Sequence, residues 1–387
     1  MSARILFLDH TGALGGAELF LLELAQHWTG GRKVLLFADG PFRERLERVA
    51  VPVEVMAAGE PLKTVARDGR GLAQLRAIPG VWKLARRVAA RAADFDVLFA
   101  NSQKALVIGA LAAWMSGKKL LWYLHDILTA EHFSGLNRRV AVTVGNRFAA
   151  RIIANSQASL EAFVASGGRK DRTTVVYNGI DSKLYVEEPE GAARKLRAET
   201  GWVSEPLVGV FSRLAPWKGQ HVLLEALRLV PNLCAVFVGA PLFGDEARYL
   251  NELESKAREL GVKERVRFLG FREDIPALLH AVDFVAHTSV APEPFGRVIV
   301  EGMLAGKPVV AARAGGACEI IKDGVTGCLV PPGEPIELAS VLRRLIEEPE
   351  LAARLGGAGR EAATRQFSVE VMSRGIEREV ELAWKRQ

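Results

Sequence analysis

Two carboxylates lie eight positions apart: Glu293 precedes, and Glu301 falls within, an apolar run that follows a loop of Pro and Gly residues. The pattern predicts that Glu293 lies in the loop and that Glu301 lies about one turn into a helix. The first amides of that helix, those of Arg297, Val298 and Ile299, would favour phosphate, whereas carboxylates accept hydrogen bonds from hydroxyls. The segment therefore predicts a ligand that carries both phosphate groups and sugar hydroxyls.

Two cations follow the predicted strand at residues 207–211. Arg213 and Lys218 are five positions apart, on a loop shaped by Pro216 and Gly219. A guanidinium fork and an ammonium point charge together suit one diphosphate. Transfer from an activated donor requires that the charge on a departing diphosphate be neutralised. The alternative interpretation is a pair of surface cations on an ordinary loop.

Three further sites follow predicted strands. Gly15 and Gly16 would let the backbone approach a phosphate, and a simple tight turn explains them equally well. His125 would donate a hydrogen bond to a sugar hydroxyl, unless its role is structural. The turn that contains Arg272 would lie against a nucleobase, and capping of the next helix by Asp274 is the alternative.

Several other polar residues in comparable positions carry less information. His10 also follows a strand, and His287 shortly precedes the first carboxylate of the pair. Asn101 and the dipeptide Asn155-Ser156 are interpreted first as caps of the helices that follow. Their second interpretation is that they orient the acceptor or close the cleft.

Short aliphatic runs alternate with helical patterns along the chain, which predicts an α/β fold with parallel sheets. The alternation pauses in the polar stretch 183–201 and then restarts. We therefore predict two Rossmann-like, doubly wound α/β domains, at residues 1–182 and 183–366, followed by a C-terminal helix within 367–387. Ligands of such domains bind beyond the carboxyl ends of the strands, so we expect the two domains to face each other across a cleft.

The expected elements follow from these patterns. Strands are predicted at residues 4–8, 33–38, 51–55, 96–100, 119–125, 151–154 and 174–177, and then at 207–211, 234–238, 266–269, 284–286, 308–312 and 327–330. Helices are predicted at 19–28, 103–115, 137–150, 220–229, 245–260, 275–281, 297–305, 317–321, 335–347 and 369–384. A basic amphipathic helical region is expected over 71–93, broken at Pro79 and Gly80.

The net charge of +6 on 387 residues is concentrated in residues 63–93, where Asp68 alone opposes the cations. The cations are Lys63, Arg67, Arg70, Arg76, Lys83, Arg86, Arg87 and Arg91. This run is interpreted as contact with an anionic membrane surface, as binding of an anionic or lipid-phosphate acceptor, or as a solvated helix face. No nucleic-acid-binding motif accompanies the charge, so nucleic acid is not an expected partner.

Residues 1–30 lack the pattern of a signal peptide, and the longest apolar run, Ala105–Met115, is too short to span a bilayer. We therefore expect a cytoplasmic protein, peripheral on the inner face of the cytoplasmic membrane if the basic run binds lipid. The chain has no zinc-ligand spacing and no Ser-His-Asp order, so hydrolytic and metalloprotease chemistry lacks support.

Together these residues resemble the retaining GT4-type glycosyltransferases of GT-B fold. The resemblance rests on Glu293 and Glu301 within the Pro-Glu-Pro-Phe-Gly segment, on Arg213, and on the dipeptide Lys218-Gly219. The stretches 15–18 (Gly-Gly-Ala-Glu) and 178–181 (Asn-Gly-Ile-Asp) also fit, and the likeness runs from about residue 4 to 365. Ser212 stands where many members of the family have Gly.

The resemblance implies transfer of a hexose-type sugar from a nucleotide-diphosphate sugar, with UDP favoured over GDP. The acceptor would be a saccharide or lipid-linked saccharide in polysaccharide or glycolipid biosynthesis, held mainly by the N-terminal domain. Configuration would be retained, no cofactor or divalent metal would be required, and the C-terminal helix would pack back on the N-terminal domain. Glu293 is the one well-placed carboxylate, which favours a front-face route with the leaving phosphate as base.

The resemblance also implies roles for individual residues. Glu301 would bind the ribose hydroxyls, Glu293 would contact the donor sugar, and His125 would lie near the transferred sugar. Arg213 and Lys218 would hold the diphosphate. The full donor-binding set is Gly15, Gly16, Arg213, Lys218, Arg272, Glu293, Phe295, Gly296, Arg297, Val298, Ile299 and Glu301, and the catalytic set is Glu293, His125, Arg213 and Lys218.

Two other functions fit the same architecture. The first is a nucleotide-sugar 2-epimerase or a sugar phosphorylase, of which the epimerase would need no polymeric acceptor. A sugar-nucleotide sensor or inactive partner would bind the donor without turnover.

Overall fold

The chain folds into two compact units, which a computed structural model describes at residues 2–57, 72–130, 133–241 and 244–385. The first unit comprises Met1–Gly179 together with Val369–Gln387, and the second comprises Ile180–Ser368. The sequence placed the divisions after residues 182 and 366. In the structure they lie after Gly179 and after Ser368, so the first unit is discontinuous in sequence.

In its described residues, the first unit contains a seven-stranded parallel sheet with the order β3-β2-β1-β4-β5-β6-β7. The strands are β1 Ile5–Asp9, β2 Arg32–Leu36, β3 Val53–Val55, β4 Val97–Ala100, β5 Lys119–Leu124, β6 Ala149–Ala154 and β7 Thr173–Val175. All five residues of β1 are buried, as expected for a strand covered on both faces. Because β1 and β4 are neighbours whose connections leave in opposite directions, a crevice opens beyond their carboxyl ends.

Helices cover both faces of this sheet. They are α1 Gly16–His27, α2 Pro41–Arg48, α3 Leu72–Arg91, α4 Gln103–Ser116, α5 Gly135–Phe148 and α6 Gln157–Ala165. Two expectations are wrong here. The first helix begins at Gly16 rather than residue 19, and α3 runs through Pro79 without a break. Burial of Leu84, Ala85 and Val88 in the core shared with α4 stabilises α3 despite the proline.

The helix α16, Val369–Trp384, completes the first unit. Its residues Met372, Ile376 and Val380 are buried in one cluster with Phe20 of α1 and Tyr123 of β5. An ion pair of 2.5 Å joins Arg151 Nε on β6 to Glu379 Oε2, and both side chains are largely buried. The helix is therefore an integral part of the core of the first unit.

The second unit has a six-stranded parallel sheet in its described residues, with the order β10-β9-β8-β11-β12-β13. The strands are β8 Leu207–Phe211, β9 Cys234–Val238, β10 Val266–Gly270, β11 Phe284–His287, β12 Val309–Ala312 and β13 Cys328–Val330. The helices are α7 Lys183–Val186, α8 Ala192–Thr200, α9 Gln220–Leu229, α10 Gly244–Glu259, α11 Ile275–Ala281, α12 Arg297–Leu304, α13 Ala317–Ile320, α14 Pro335–Glu347 and α15 Pro349–Gln366. The order matches the doubly wound nucleotide-binding arrangement. The parallel strands β8 and β11 are the neighbours whose chain connections leave in opposite directions.

Helices α2, α6, α7, α8 and α15 were not predicted from the sequence. Helix α15 contains Gly356, Gly357 and Gly359, which weaken a helical pattern when read locally. In the fold, a Cβ atom at Gly356 would lie 2.2 Å from the carbonyl oxygen of Gly306, so close packing requires that glycine. Tertiary contact thus overrides local propensity.

The described half of the basic run lies on the exposed face of α3. Lys63, Arg67 and Arg70 lie outside the described residues, and the side chain of Arg76 is not described either. Lys83, Arg86 and Arg87 are exposed and share one face. The adjacent indoles of Trp82 and Trp114, with ring centroids 6.3 Å apart, are 42% and 66% exposed. Among the described helices, none combines the length and apolarity needed to cross a membrane.

Candidate functional site

Two loops meet at the crevice of the second sheet. The loop at residues 212–219 follows β8, and the loop at 288–296 follows the neighbouring strand β11. They are joined by a hydrogen bond from Thr288 Oγ1 to the carbonyl oxygen of Lys218 at 3.0 Å, and by another from the Val290 amide to the carbonyl oxygen of Trp217 at 2.9 Å. The sheet order and these bonds place the predicted cation loop beside the predicted carboxylate loop.

Lys218 and Glu293 form an ion pair at the centre of this site. Lys218 Nζ lies 2.5 Å from Glu293 Oε2, and the two side chains are only 13% and 14% exposed. The Lys218 ammonium also lies 4.1 Å from the centroid of the Trp217 ring, a cation–π contact. The Arg213 guanidinium approaches the same ring at 5.7 Å. Trp217 thus holds both predicted cations, a role that the sequence did not indicate.

Two further groups contact the same oxygen of Glu293. His287 Nε2 and Ser289 Oγ each lie 3.3 Å from Glu293 Oε2. Burial alone would raise the pKa of Glu293, but the charge of Lys218 and the contact with His287 outweigh it and hold the pKa well below its ordinary value. The carboxylate is therefore ionised at neutral pH. The described residues supply no donor to Oε1, which remains available for a ligand hydroxyl.

His287 was a weak candidate from the sequence, and the structure brings it to the centre of the site. Lys218, His287, Ser289, Ser212 and Val298 line a narrow hollow between the ends of β8 and β11. Ser289 was missed entirely. The rule that selected His125, a polar residue directly after a buried strand, would also have selected the stretch from His287 to Ser289.

Glu301 lies on α12, one turn in from the start of the helix, as predicted. It is 8% exposed, and its Oε1 accepts a hydrogen bond of 3.2 Å from Arg297 Nε. Gly296 precedes the helix with a φ of 95°, which turns the loop into the helix. The Ile299 amide donates to the carbonyl oxygen of Gly296 at 2.9 Å, and its contact with a phosphate stays a prediction. Phe295 is buried against Phe367, which anchors the loop.

The loop after β12 supports the backbone of Glu293. Gly315 forms an isolated bridge with Glu293, and the Gly316 amide donates to the Glu293 carbonyl oxygen at 2.8 Å. A Cβ atom on Gly315, whose φ is 58°, would lie 2.2 Å from that same oxygen. The glycine pair therefore permits the close approach that positions the carboxylate.

Gly315→Ala is expected to destabilise the second unit far more than Gly333→Ala. Both glycines have positive φ, but a Cβ atom on Gly333 meets nothing within 4 Å. The control substitution should lower the free energy of unfolding by about 1–2 kcal/mol. Gly315→Ala should cost at least about 2 kcal/mol more, because backbone must shift. Urea unfolding measures both, and equal losses would contradict the proposed close packing.

Arg272 has intramolecular partners in this structure. Its guanidinium pairs with Asp274 at 2.7 Å and with Glu199 on α8 at 2.8 Å. Asp274 precedes α11 but makes no side-chain cap, so the capping alternative is wrong. The arrangement ties the turn after β10 to α8, and it leaves the prediction of a nearby nucleobase untested.

A second polar cluster lies at the crevice of the first sheet. Asn101 Nδ2 donates to Asp9 Oδ2 at 2.6 Å and to the carbonyl oxygen of Ala17 at 3.0 Å, and Asn101 Oδ1 lies 2.8 Å from His125 Nε2. Capping by Asn101 is therefore wrong: Ser102 caps α4. Capping of α6 by Ser156 is confirmed, whereas Asn155 donates to the carbonyl oxygen of His125 at 3.1 Å.

The Nε2 atom of His125 is already hydrogen-bonded to Asn101. The predicted contact with a sugar hydroxyl would therefore have to use Nδ1. Burial lowers the pKa of His125 to about 3, against the opposing influence of Asp9, so the ring is neutral at physiological pH. His10, the other histidine here, contacts Ser102 Oγ through Nδ1 at 3.0 Å.

Gly15 and Gly16 start helix α1. Gly15 is the residue before the helix, and its backbone lies close to the carboxyl group of Glu18. A Cβ atom at Gly15 would lie 2.8 Å from Glu18 Oε2, so the glycine leaves room for that carboxyl group. Burial, together with the charge of Asp9, raises the pKa of Glu18 to about 8. The approach of these glycines to a phosphate stays a prediction.

Two family models and several known proteins match this chain. The model of glycosyl transferases group 1 matches residues 193–362, and that of Glycosyltransferase Family 4 matches residues 14–184. D-inositol 3-phosphate glycosyltransferase 1 of Catenulispora acidiphila is 31% identical over 291 residues, which are 70% of this chain and 68% of that protein. The chain belongs to the group 1, family 4 glycosyltransferases. The expected family and the GT-B class, with two Rossmann-like parallel-sheet units, are confirmed.

Other proteins similar to this chain differ in how much of their length it covers. Anabaena HepE, solved in complex with UDP and glucose, is 46% identical with a TM-score of 0.89, over 98% of this chain and 99% of that chain. Spore coat protein SA of Bacillus subtilis is 33% identical over 211 residues, which are 51% of this chain and 55% of that protein. The chain therefore spans about half the length of the curated relatives such as spore coat protein SA.

Proposed function

We propose that this glycosyltransferase moves a hexose-type sugar from a UDP-sugar to a saccharide or lipid-linked saccharide acceptor, with retention of configuration. The observation that carries the proposal is the pairing of Lys218 with Glu293 at the crevice of the second sheet, beside the start of α12. Cations, a helix start and two carboxylates in one place suit a ligand that contains both a diphosphate and sugars.

The donor would extend along this crevice. Arg213 and Lys218, held by Trp217, would neutralise the diphosphate without a divalent metal. The amide of Val298 at the start of α12 would add a donor to a phosphate oxygen, as the first amides of a helix commonly do. Glu301 would accept hydrogen bonds from the ribose hydroxyls, and Glu293 Oε1 would accept from the transferred sugar.

The charge state of Glu293 restricts the mechanism. A carboxylate with a strongly lowered pKa is a poor proton acceptor at neutral pH, so Glu293 is unsuited to act as a general acid or base. Its negative charge instead suits stabilisation of positive charge that develops on the donor sugar. The departing phosphate would then take the proton of the acceptor hydroxyl on the same face, which retains configuration.

UDP is the expected nucleotide. Crystal structures of Anabaena HepE, 46% identical to this chain, contain UDP and UDP-glucose. At about 100 times its Kd, UDP should stabilise this protein by about 2.7 kcal/mol and raise the Tm of the binding unit by roughly 5–10 °C. Thermal-shift measurements with UDP, GDP and ADP test this expectation. A larger shift with GDP would overturn the preference for UDP.

Turnover is tested by incubating the protein with UDP-sugars and candidate saccharide acceptors, and by measuring both UDP and the product. The anomeric configuration of the product, determined by NMR, tests retention. An altered nucleotide sugar without acceptor would indicate an epimerase, and a strict need for inorganic phosphate would indicate a phosphorylase. Donor binding without turnover across the acceptors would identify a sensor or inactive partner.

The exposed face of α3 is the proposed contact with an anionic membrane surface, where a lipid-linked acceptor would be met. Lys83, Arg86 and Arg87 make no ion pair with a carboxylate in the described part of the chain. The exposed indoles of Trp82 and Trp114 lie beside them. Adjacent cations and indoles match the two components of a membrane interface, the anionic headgroups and the boundary with the acyl chains.

Arg86→Glu/Arg87→Glu is expected to reduce binding to vesicles that contain phosphatidylserine by at least about tenfold, because each cation near the surface contributes about 1 kcal/mol. The control is Arg374→Glu/Arg378→Glu, which makes the same charge change at exposed positions of α16. Co-sedimentation at low and high salt measures binding. Equal recovery of both variants with anionic vesicles would contradict the proposed surface. So would binding of the parent protein to neutral vesicles as strongly as to anionic ones.

A further inference from the structure

The polar cluster at the end of β1, β4 and β5 fixes the orientation of one side-chain amide. Asn101 is fully buried, and its Nδ2 has two acceptors, Asp9 Oδ2 at 2.6 Å and the carbonyl oxygen of Ala17 at 3.0 Å. A flipped amide would place Oδ1 against both of these acceptors, which is unfavourable. Asp9 is itself fully buried, and its Oδ1 accepts from the His10 amide at 2.5 Å. The orientation of Asn101 is therefore determined.

The oriented amide fixes the protonation of the neighbouring ring. Asn101 Oδ1 can only accept, and it lies 2.8 Å from His125 Nε2. Nε2 must then carry a hydrogen, and in a neutral ring Nδ1 carries a lone pair. The ring is also held by aromatic contacts, with centroids 5.1 Å from Phe20 and 4.7 Å from Tyr123. Among the described residues, none donates to Nδ1.

We propose that Asp9 and Asn101 are positioning residues that hold His125 as the neutral Nε2–H tautomer, so that Nδ1 accepts a hydrogen bond from a ligand hydroxyl. The direction of this bond is opposite to the donation that the sequence suggested. A lone pair rejects phosphate and carboxylate oxygens, so this position is selective for a neutral hydroxyl such as that of a sugar. The assignment of that hydroxyl to a sugar rests on the proposed function, whereas the tautomer does not.

The tautomer is measured by NMR of the full chain with ¹⁵N-labelled histidine, and the signals of His125 are assigned by their loss in His125→Asn. The expected spectrum shows a protected Nε2–H, a pyridine-type Nδ1, and no titration of this ring between pH 5 and 8. The charge that acts on the ring is that of Asp9, which in turn acts on Glu18, and the titratable ring of Tyr123 packs against His125. A signal of Nδ1–H, or a doubly protonated ring at pH 7, would overturn the proposal.

Two asparagine variants separate positioning from general stability. Asn101→Ala removes the acceptor of Nε2–H and should abolish its protection from exchange with water. Asn155→Ala removes a donor to the backbone carbonyl oxygen of His125 and should leave the ring signals unchanged. Retained protection in Asn101→Ala would contradict the role of Asn101.

A kinetic measurement connects the tautomer to the ligand. In Asn101→Ala, kcat/KM for sugar transfer should fall about tenfold, while the affinity for UDP alone stays within twofold. An unchanged kcat/KM together with a lost Nε2–H signal would overturn the role of His125 toward the ligand. If the spectra are as expected but no sugar transfer is found with any donor, the proposed function fails while the tautomer assignment stands.

Discussion

Lys218→Met should lower kcat for sugar transfer by at least about 100-fold, the scale of losing one preorganised charge contact to a departing group. Lys218 is held for this role by Glu293 at 2.5 Å and by the ring of Trp217 at 4.1 Å. Its replacement also leaves the largely buried Glu293 without its main counter-charge, which raises the pKa of that carboxylate and destabilises the second unit. The rate is measured at saturating donor, below the melting temperature of the variant.

The matched control for this prediction is Lys256→Met. Lys256 also pairs with a glutamate, Glu225, in the second unit, but both partners are about one-third exposed. Exposed pairs contribute little to stability, so the control should retain its rate and its Tm. A Lys218→Met variant that transfers sugar within about threefold of the parent rate would eliminate the proposed role in neutralising the diphosphate.

Glu301→Ala should weaken UDP binding by at least about 100-fold. Two charge-assisted hydrogen bonds to ribose hydroxyls contribute roughly 1.5–3 kcal/mol each, and every 1.4 kcal/mol is a factor of ten in Kd. Glu301 is suited to this contact because it is nearly buried and is oriented by Arg297 at 3.2 Å. Isothermal titration calorimetry with UDP measures the change in affinity.

Two variants complete the measurement on Glu301. Glu301→Gln keeps the shape of the side chain and one acceptor, so its loss in affinity should be intermediate, about tenfold. Glu337→Ala removes an exposed carboxylate from the first turn of α14 and should leave the Kd unchanged. An unaltered Kd for UDP in Glu301→Ala would show that the ribose is held elsewhere.

Much of the architecture was predictable because parallel strands covered on both faces are short, aliphatic runs. The strand at Leu207–Phe211 was predicted with its observed bounds, and so was the helix at Val369–Trp384. Helix boundaries next to glycine or proline were less predictable. Gly16 starts α1, and Pro79 lies inside α3, where burial of Leu84, Ala85 and Val88 outweighs the local preference of the proline.

The candidate site was predictable only for residues whose type and position indicate a chemical role. The positions of Glu293 and Lys218 after neighbouring strands suggested that the two would meet, but not that they would bind each other. The contact of His287 with the carboxylate depends on the bridge between Glu293 and Gly315, which are distant in sequence. No local pattern encodes a bond of that kind.

The first unit illustrates the same limit with a buried asparagine. Asn101 directly follows a strand and precedes a helix, so capping was the natural interpretation. Ser102 performs that function, which leaves the Asn101 amide free to connect Asp9 with His125. Choosing between adjacent polar residues required the direction of each side chain, and the sequence does not contain that information.

The contribution of α16 to the first unit has a consequence for the order of events on the ribosome. The unit begins at the N-terminal side of the chain, but Met372, Ile376 and Val380 of its core are translated only after the whole of Ile180–Ser368. At about 5–20 residues per second, those intervening residues take roughly 10–40 s to synthesise. The apolar surface around Phe20 and Tyr123 stays uncovered throughout that interval. The continuous second unit can therefore complete its core first, and the nascent first unit is the part exposed to chaperones and to aggregation.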